Sequence, residues 1–557
     1  MTNKIWLKLY PEGIPHEINV DKYNSIIDLI EESFLKFKDK PAFSCMGKTY
    51  TYRQIDAYSM AFAAFLQKNL TLKKGDRIAI MMPNCLQYPI ALFGAMRAGL
   101  VVVNTNPLYT PREMKHQFND AGVKAVVIVK NFAHNLTAIL PDTPVKQVIL
   151  TGLGDLLGFP KSALVNFAIK YVKKMIPPYD LPNAVPFNMA LREGKKLVLK
   201  KPIVNNNEIA LLQYTGGTTG LSKGAMLTHQ NVLSNMEMIS AWMSGGPIRL
   251  EEGKEIVITA LPLYHIFAFT VNCLSMCRHG AHGVLIVNPR DMKAFIGELK
   301  NYKFTLMTGV NTLFNGLMNQ EAIKEVDFSH LKITVGGGMA VQKVVADKWH
   351  TLTGCTLSEG YGLTEASPVL TINPLDGSGK IGSIGLPIPS TEIRIVNDEG
   401  EDVPVGERGE IIAKGPQIMK GYFNRPEATK EVVKEGWLYT GDIGVMDEEG
   451  YIYIVDRKKD MILVSGFNVF PNEVEEVIAA HPGVLEVAVI GVPDDKSTEA
   501  VKAFIVKKDD ALTEEAIRTY CTENLTGYKK PKFIEFRNDL PKTNVGKILR
   551  RALKEEI

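Results

Sequence analysis

Short runs of β-branched residues alternate along this chain with stretches in which apolar positions recur every three or four residues. Ala125-Val126-Val127-Ile128-Val129 follows a helical pattern from Pro111 to Ala121. Ile209 to Tyr214 runs into a glycine-rich loop, and Ile333-Thr334-Val335 runs into Gly336-Gly337-Gly338. Strand, glycine loop and helix in succession predict an α/β fold with ligands at the carboxyl ends of the strands. From about Gly382 short alternating strands and turns take over, as in Glu392-Ile393-Arg394-Ile395-Val396 before Asn397-Asp398-Glu399-Gly400, and predict a small β-rich subdomain over about 382–455. Asp456-Arg457-Lys458-Lys459-Asp460 reads as an exposed connector. The expected organisation is a large α/β body over 1–455 and a smaller C-terminal α+β domain over 456–557. Ile78 to Val103 is the most apolar stretch, but Asn84, Gln87 and Arg97 interrupt it, which predicts packed core rather than a membrane span.

Composition narrows the function classes. The 557 residues are 45% apolar and 22% charged, the balance of a soluble globular protein with a large core. A formal charge of +3 gives no reason to expect nucleic-acid binding. Six scattered cysteines without a CxxC pair point to neither a disulfide framework nor a zinc site, and suit a reducing cytoplasm. Met1 to Tyr10 lacks a signal-peptide core, and Lys554-Glu555-Glu556-Ile557 carries no lipidation signal.

The densest chemical signal is Tyr214-Thr215-Gly216-Gly217-Thr218-Thr219-Gly220-Leu221-Ser222-Lys223-Gly224. Glycines let backbone N–H groups approach a polyphosphate, threonine hydroxyls add donors and Lys223 adds a charge. A Walker loop would place the lysine directly after the glycine, with Ser or Thr following. Here Leu221 and Ser222 intervene and Gly224 follows Lys223, so an ordinary P-loop enzyme is disfavoured. Further on come Glu359-Gly360-Tyr361-Gly362-Leu363-Thr364-Glu365, Tyr439-Thr440-Gly441-Asp442 and Pro541-Lys542-Thr543-Asn544-Val545-Gly546-Lys547. Gly360 and Gly362 allow close approach to a flat ring, Tyr361 offers an aromatic face, and Glu365 is a hard oxygen ligand suited to Mg²⁺.

In this order the motifs resemble the adenylate-forming superfamily of acyl-CoA synthetases, luciferases and peptide-synthetase adenylation domains, and within it bacterial long-chain fatty acid–CoA ligases. The likeness runs from about Asp28 to Leu553. It implies a body and a mobile C-terminal domain that activate a carboxylic acid with ATP as an acyl-adenylate and pass it to coenzyme A. It implies that Tyr214, Thr215, Gly216, Gly217, Thr218, Thr219, Gly220 and Lys223 hold phosphates, and that Gly336, Gly337 and Gly338 flank adenine. Glycine triplets also serve tight turns between strand and helix. By the same likeness Tyr361, between Gly360 and Gly362, stacks on adenine, Thr364 meets the α-phosphate, and Glu365 with Thr215 holds Mg²⁺. Asp442 and Arg457 would bind ribose, Asp456 would be the hinge, Lys547 the adenylation lysine, and Gly466 would line the coenzyme A tunnel.

The identity of the acid is written less plainly. Pro262-Leu263-Tyr264-His265-Ile266-Phe267-Ala268-Phe269 resembles the acyl-side motif, with His265 near the carboxylate; a satisfied core histidine is the other reading. Phe269 stands where some long-chain relatives carry a gating tryptophan. Met236–Met243 and Gly309–Met318 could line a tunnel or be core helices. A medium-chain or aromatic acid–CoA ligase and a non-catalytic nucleotide-binding regulator are the alternatives. A homodimer is compatible with the sequence.

One segment concerns location. At helical spacing over Pro160–Ile176, Asn166, Lys170, Lys173 and Lys174 share a face, and Leu164, Val165, Phe167, Ala168, Ile169, Val172, Met175 and Ile176 occupy the rest. Between Pro160 and Lys201 nine Lys/Arg stand against Asp180 and Glu193, a local charge of +7. The combination predicts peripheral contact with the anionic inner face of a membrane. A helix packed on the body with solvated lysines is the alternative.

Overall fold

Most strands lie in two large sheets whose parallel cores follow from the alternation of strand and helix. The structure is a computed structural model describing residues 4–215, 222–465, 467–494, 497–543 and 546–556. One sheet has seven strands, in the order Val185–Pro186, Gln147–Thr151, Val123–Val129, Arg77–Met81, Val101–Asn104, Ile209–Thr215 and Lys223–Thr228. Only its last pair is antiparallel, because Ile209–Thr215 and Lys223–Thr228 form the hairpin that carries the phosphate-type loop. The other sheet has nine strands, with Ile333–Gly337 between Leu306–Gly309 and Leu357–Gly362. The helix Gln87–Arg97 is buried along its whole length, as expected for the Ile78–Val103 stretch. No helix among the described residues is long and apolar enough to cross a membrane.

The predicted helix before Val123–Val129 spans Pro111–Ala121. Its start is fixed chemically: Thr110 accepts from the Glu113 N–H, Glu113 returns a contact to the Thr110 N–H, and Pro111 has no N–H to waste. Gly122 ends it at φ 61°, a left-handed turn that glycine adopts without penalty.

A third sheet of five strands covers Glu392–Val396 to Ile452–Arg457. Leu386–Pro387 pairs with the nine-stranded sheet, while Gly385 just before it bridges to Ile452 of the five-stranded one. Its strand Ile452–Arg457 pairs with Trp437–Met446, setting Ile443 opposite Asp456 and Asp442 opposite Arg457. The connector expected to be exposed therefore begins inside a sheet, and Asp456 is fully buried. The reason is its carboxylate, which accepts the N–H groups of Arg457 and Asn472 at 2.7 and 2.8 Å. Beyond it a further sheet, built on Val484–Asp494 and Thr498–Lys507, packs with helices Pro471–Ala479 and Glu514–Asn524 as the C-terminal unit.

The two large sheets are tied by a buried polar network. Asn84 accepts from the Leu263 N–H at 2.8 Å, and the Tyr88 hydroxyl donates to the Leu263 carbonyl at 2.7 Å. Asn104 donates to Gln213 at 3.1 Å, and Gln213 to the Tyr264 carbonyl at 3.0 Å. Each such bond contributes only about 1 kcal/mol net, but losing one partner strands a buried polar group. The network pins the segment that leads into His265.

Candidate active site

The carboxyl ends of Ile333–Gly337 and Leu357–Gly362 meet the C-terminal unit at one place. Glycine is required there by space. A Cβ on Gly362 would stand 2.1 Å from the Pro368 carbonyl oxygen, and one on Gly337 would stand 3.0 Å from the Phe267 ring and 3.1 Å from the Gly360 carbonyl oxygen. Gly338 has φ +79°, and its missing Cβ would lie 3.0 Å from Cε of Lys547. A residue 209 positions later in the chain thus reaches the glycine triplet.

Lys547 is delivered by a folded loop. The Thr543 hydroxyl accepts from the Lys547 N–H at 3.1 Å, and Thr312 of the body donates to the Gly546 carbonyl at 3.0 Å. Burial and the positive charge of Arg457 lower the Lys547 ammonium to about 8, against the opposing pull of Asp442 and Glu365. Both carboxylates therefore lie within electrostatic reach of it. His265 caps the turn of Ile266–Ala268, its Nδ1 accepting from the Phe267 N–H at 3.3 Å. Burial, then the charge of Lys547, holds its imidazole down at about 3, so it is neutral at physiological pH.

Asp442 is buried, and its Oδ2 accepts from the Tyr361 hydroxyl at 2.6 Å. Arg457 Nε lies 3.3 Å from Oδ1. Burial, reinforced by Asp442, pushes the Tyr361 phenol well above its ordinary value and keeps it a donor. Glu365 accepts from the Tyr422 hydroxyl at 2.6 Å, and Lys223 stands 5.2 Å over the Tyr422 ring. This chain of contacts links the strand after the phosphate-type loop to Glu365. Thr364 opens the turn that presents Glu365, and Thr215 ends its strand opposite Lys223.

The structure therefore gathers Lys547, Asp442, Arg457, Tyr361, Glu365, Thr364, His265 and the glycines 336–338, 360 and 362 around two strand ends. Tyr214 is turned elsewhere: its hydroxyl donates to Asp120 at 2.7 Å. Gly216, Gly217, Thr218, Thr219, Gly220 and Gly466 lie outside the described residues. Phe269 is fully buried, and Met236–Met243 and Gly309–Met318 fall mainly on the helices His229–Ser244 and Asn311–Met318.

Three further side chains belong to this neighbourhood. Tyr422 lies outside every motif. Lys459 is lowered by burial and Arg457, and it feels Asp460, Asp442 and Glu365; in the sequence it was one charge in a run. Glu359 is pushed up to about 8 by burial, with the Val341 N–H acting against this. A carboxylate directly before Gly360-Tyr361-Gly362 was the available signal.

Comparison with known proteins decides the family. The AMP-binding enzyme family matches residues 30–423, and the AMP-binding enzyme C-terminal domain family matches residues 473–547. The chain belongs to the AMP-binding enzyme family. Within it, the long-chain-fatty-acid–CoA ligase of Escherichia coli O6:H1 is 56% identical over 553 residues, covering 99% of this chain and 98% of that protein. The Bacillus subtilis long-chain-fatty-acid–CoA ligase is 41% identical over 560 residues, covering 100% and 98%. Among solved structures, ATP-bound MatB from Rhodopseudomonas palustris superposes with a TM-score of 0.81 at 27% identity, covering 96% of this chain and 99% of that one. The expected superfamily and the expected fold, a large α/β body with a smaller C-terminal α+β domain, are thereby shown.

Proposed function

We propose that this member of the AMP-binding enzyme family activates a long-chain fatty acid with ATP and transfers the acyl group to coenzyme A. The observation that carries the reaction is the arrival of Lys547 beside Gly338, within electrostatic reach of Asp442 and Glu365. The fatty acid is carried over from the CoA ligases that match the chain over nearly its whole length.

The substrate carboxylate is already a nucleophile and needs only placement in line with the α-phosphorus as pyrophosphate leaves. Lys547 supplies positive charge to the α-phosphate and the acid. His265, neutral, offers a hydrogen bond without adding charge. Asp442, fixed by Tyr361 and Arg457, would accept the ribose hydroxyls, and Tyr361 would pack on the base. In the second step the thiol attacks the acyl carbonyl and AMP leaves. A non-catalytic regulator is not favoured, because Lys547 and Glu365 stand at one site.

Mg²⁺ fits the donors present. Among the described residues no group of three or more His, Cys, Asp or Glu could hold a metal. Glu365 is one carboxylate, accepting from the Tyr422 hydroxyl, which suits an ion that takes one protein carboxylate and shares the rest of its shell with phosphates and water. Glu365 and Thr215 would hold it, and it would neutralise charge on the leaving pyrophosphate.

We also infer a peripheral membrane contact through the segment 159–175. Its α-helix stops at Phe167 and passes into a π-helical turn over Ala168–Val172. Asn166 is accordingly not on the lysine face: it donates to Asp155 at 2.8 Å and accepts from the Gly154 N–H at 3.0 Å. Ile169 is buried as well. The outer surface carries Phe159, Leu164, Phe167, Tyr171, Val172 and Met175, with Phe159 92% and Val172 70% exposed. Lys170, Lys173 and Lys174 lie among them, all exposed. Exposed apolar and aromatic groups interspersed with lysines match the chemistry of an anionic lipid surface, whose acyl phase also dissolves the proposed substrate.

The reaction is tested by measuring AMP formation over an acid series from acetate to oleate, with and without coenzyme A. AMP should rise with chain length and require the thiol for turnover. A maximum at benzoate-type or short acids would overturn the fatty-acid assignment.

A further inference from the structure

Asp456 belongs by backbone pairing to the five-stranded sheet of the body, opposite Ile443. Its carboxylate faces the other way, into the C-terminal unit. Oδ2 accepts the N–H of Asn472, at the start of the helix Pro471–Ala479, and Arg550 Nη1 lies 3.5 Å from Oδ1. Arg550 also donates to Glu475 at 2.7 and 3.1 Å and lies 3.6 Å from Asp460. Lys554 approaches Asp460 at 3.8 Å. The Asp456 side chain is fully buried and that of Arg550 is 17% exposed. Burial pushes the Asp456 carboxyl up to about 6 while Arg550 acts against this, so it is mainly ionised at neutral pH. Removing Arg550 leaves Asp456 as a buried charge short of its cationic partner, whereas Arg550 without Asp456 keeps Glu475.

Arg550 also terminates the loop that carries Lys547. The Leu549 N–H donates to the Pro541 carbonyl at 2.7 Å, closing the loop's stem one residue before Arg550. One guanidinium therefore joins the strand Ile452–Arg457 of the body, the first helix of the C-terminal unit and the base of the lysine loop. Next to Asp456 in the chain, Arg457 pairs with Asp442 in the site.

We propose that Arg550 is a positioning residue for the first half-reaction: by bridging the body-anchored Asp456 to the C-terminal unit, it holds the orientation in which Lys547 reaches the glycine triplet. The inference rests on the two-step reading above and deepens it. A rotation of the C-terminal unit about Asp456, the hinge the resemblance implies, would disturb the Asn472 and Arg550 contacts together, because the strand bearing Asp456 is held by Trp437–Met446. The bridge should thus stabilise one orientation and be dispensable in another.

The test separates the half-reactions at equal enzyme concentration. Adenylation is read as fatty-acid-dependent exchange of labelled pyrophosphate into ATP; thioester formation is read from supplied lauroyl-AMP and coenzyme A. Arg550→Gln should lower exchange at least about ten-fold and leave thioester formation within about two-fold. Arg550→Lys, which keeps the charge but loses the fork, should fall between it and wild type. Asp456→Asn should reproduce the exchange defect, and the double variant should be no worse than the worse single variant, as expected for one shared interaction. Should Arg550→Gln fail to fold, Asp456→Asn and Arg550→Lys carry the same expectation. Equal loss of both half-reactions, or losses that multiply in the double variant, would overturn the bridge. Wild-type enzyme lacking both half-reactions would instead sink the two-step reading, and this inference with it.

Discussion

The phenol of Tyr361 and the carboxylate of Asp442 are 81 residues apart in sequence and 2.6 Å apart in space. With Arg457 at the other oxygen, the carboxylate is held in one orientation before any nucleotide arrives. Such a preset acceptor would bind ribose, the role proposed for Asp442, without first reorganising. A hydrogen bond to a charged group is worth about 1.5–3 kcal/mol, so Tyr361→Phe should raise KM for ATP about ten-fold or more. The fatty-acid KM should move much less. Steady-state kinetics with each substrate varied in turn checks this, and an unchanged KM for ATP would detach the pair from the nucleotide site.

Lys547 is expected to serve only the first step. Losing one well-placed cation from a desolvated phosphoryl-transfer site removes about two to three orders of magnitude in rate. Lys547→Ala should therefore abolish most pyrophosphate exchange yet still form thioester from supplied acyl-AMP. Parallel loss of both activities would contradict the assignment.

The lysine also sets a pH limit. In the proposed role it acts as a cation and, lowered to about 8 by burial and Arg457, should lose its proton as pH rises through that value. Adenylation kcat/KM for ATP, which reports the free enzyme, should hold below about pH 8 and decline above it. Bound triphosphate favours the charged form, so the decline in kcat should lie at higher pH. Lys547→Arg, whose guanidinium does not titrate in this range, should lack the limb even if its rate is low. Persistence of the limb in that variant would assign it to another group.

Much of this site could be read from the sequence because its residues come in dense local motifs. Gly360, Tyr361, Gly362, Thr364 and Glu365 fall within six positions, and Lys547 ends a loop of distinctive composition. The supporting partners were not legible, because they depend on distant pairings. Tyr422 meets Glu365 across 57 positions, and Asp120 takes the Tyr214 phenol across 94. Charge alone misread Asp456: five charged residues in a row look solvated, but strand pairing with Trp437–Met446 buries the first. Periodicity misreads Asn166, because the segment changes helix type at Ala168 and the Asp155 partner lies outside the helix. Short β-branched runs located the strands Val123–Val129, Ile209–Thr215 and Ile333–Gly337 to within two residues. They could not show that Leu386–Pro387 pairs with the larger sheet, since edge pairing is decided by tertiary contact.

The segment 159–175 offers the final prediction. A buried helix with solvated lysines would hide its apolar side, yet Phe159, Leu164, Phe167, Tyr171, Val172 and Met175 are all exposed. Covering them with lipid releases ordered water, at roughly 25 cal/mol per Å² of apolar area. Each lysine near an anionic surface adds about 1 kcal/mol, weakening with salt. The two contributions can be separated by mutation. Lys170, Lys173 and Lys174 changed together to Glu should greatly reduce binding to vesicles containing phosphatidylserine or phosphatidylglycerol, and wild-type binding should weaken as salt rises. Phe159→Ser with Val172→Ser should weaken binding at every salt concentration, because the loss is apolar. Both variants should retain activity on a soluble shorter-chain acid, since these exposed side chains belong to the proposed lipid contact and not to the proposed site. Co-sedimentation with vesicles of defined composition is the measurement. Binding unchanged in both folded variants would move the membrane contact to another face of the protein.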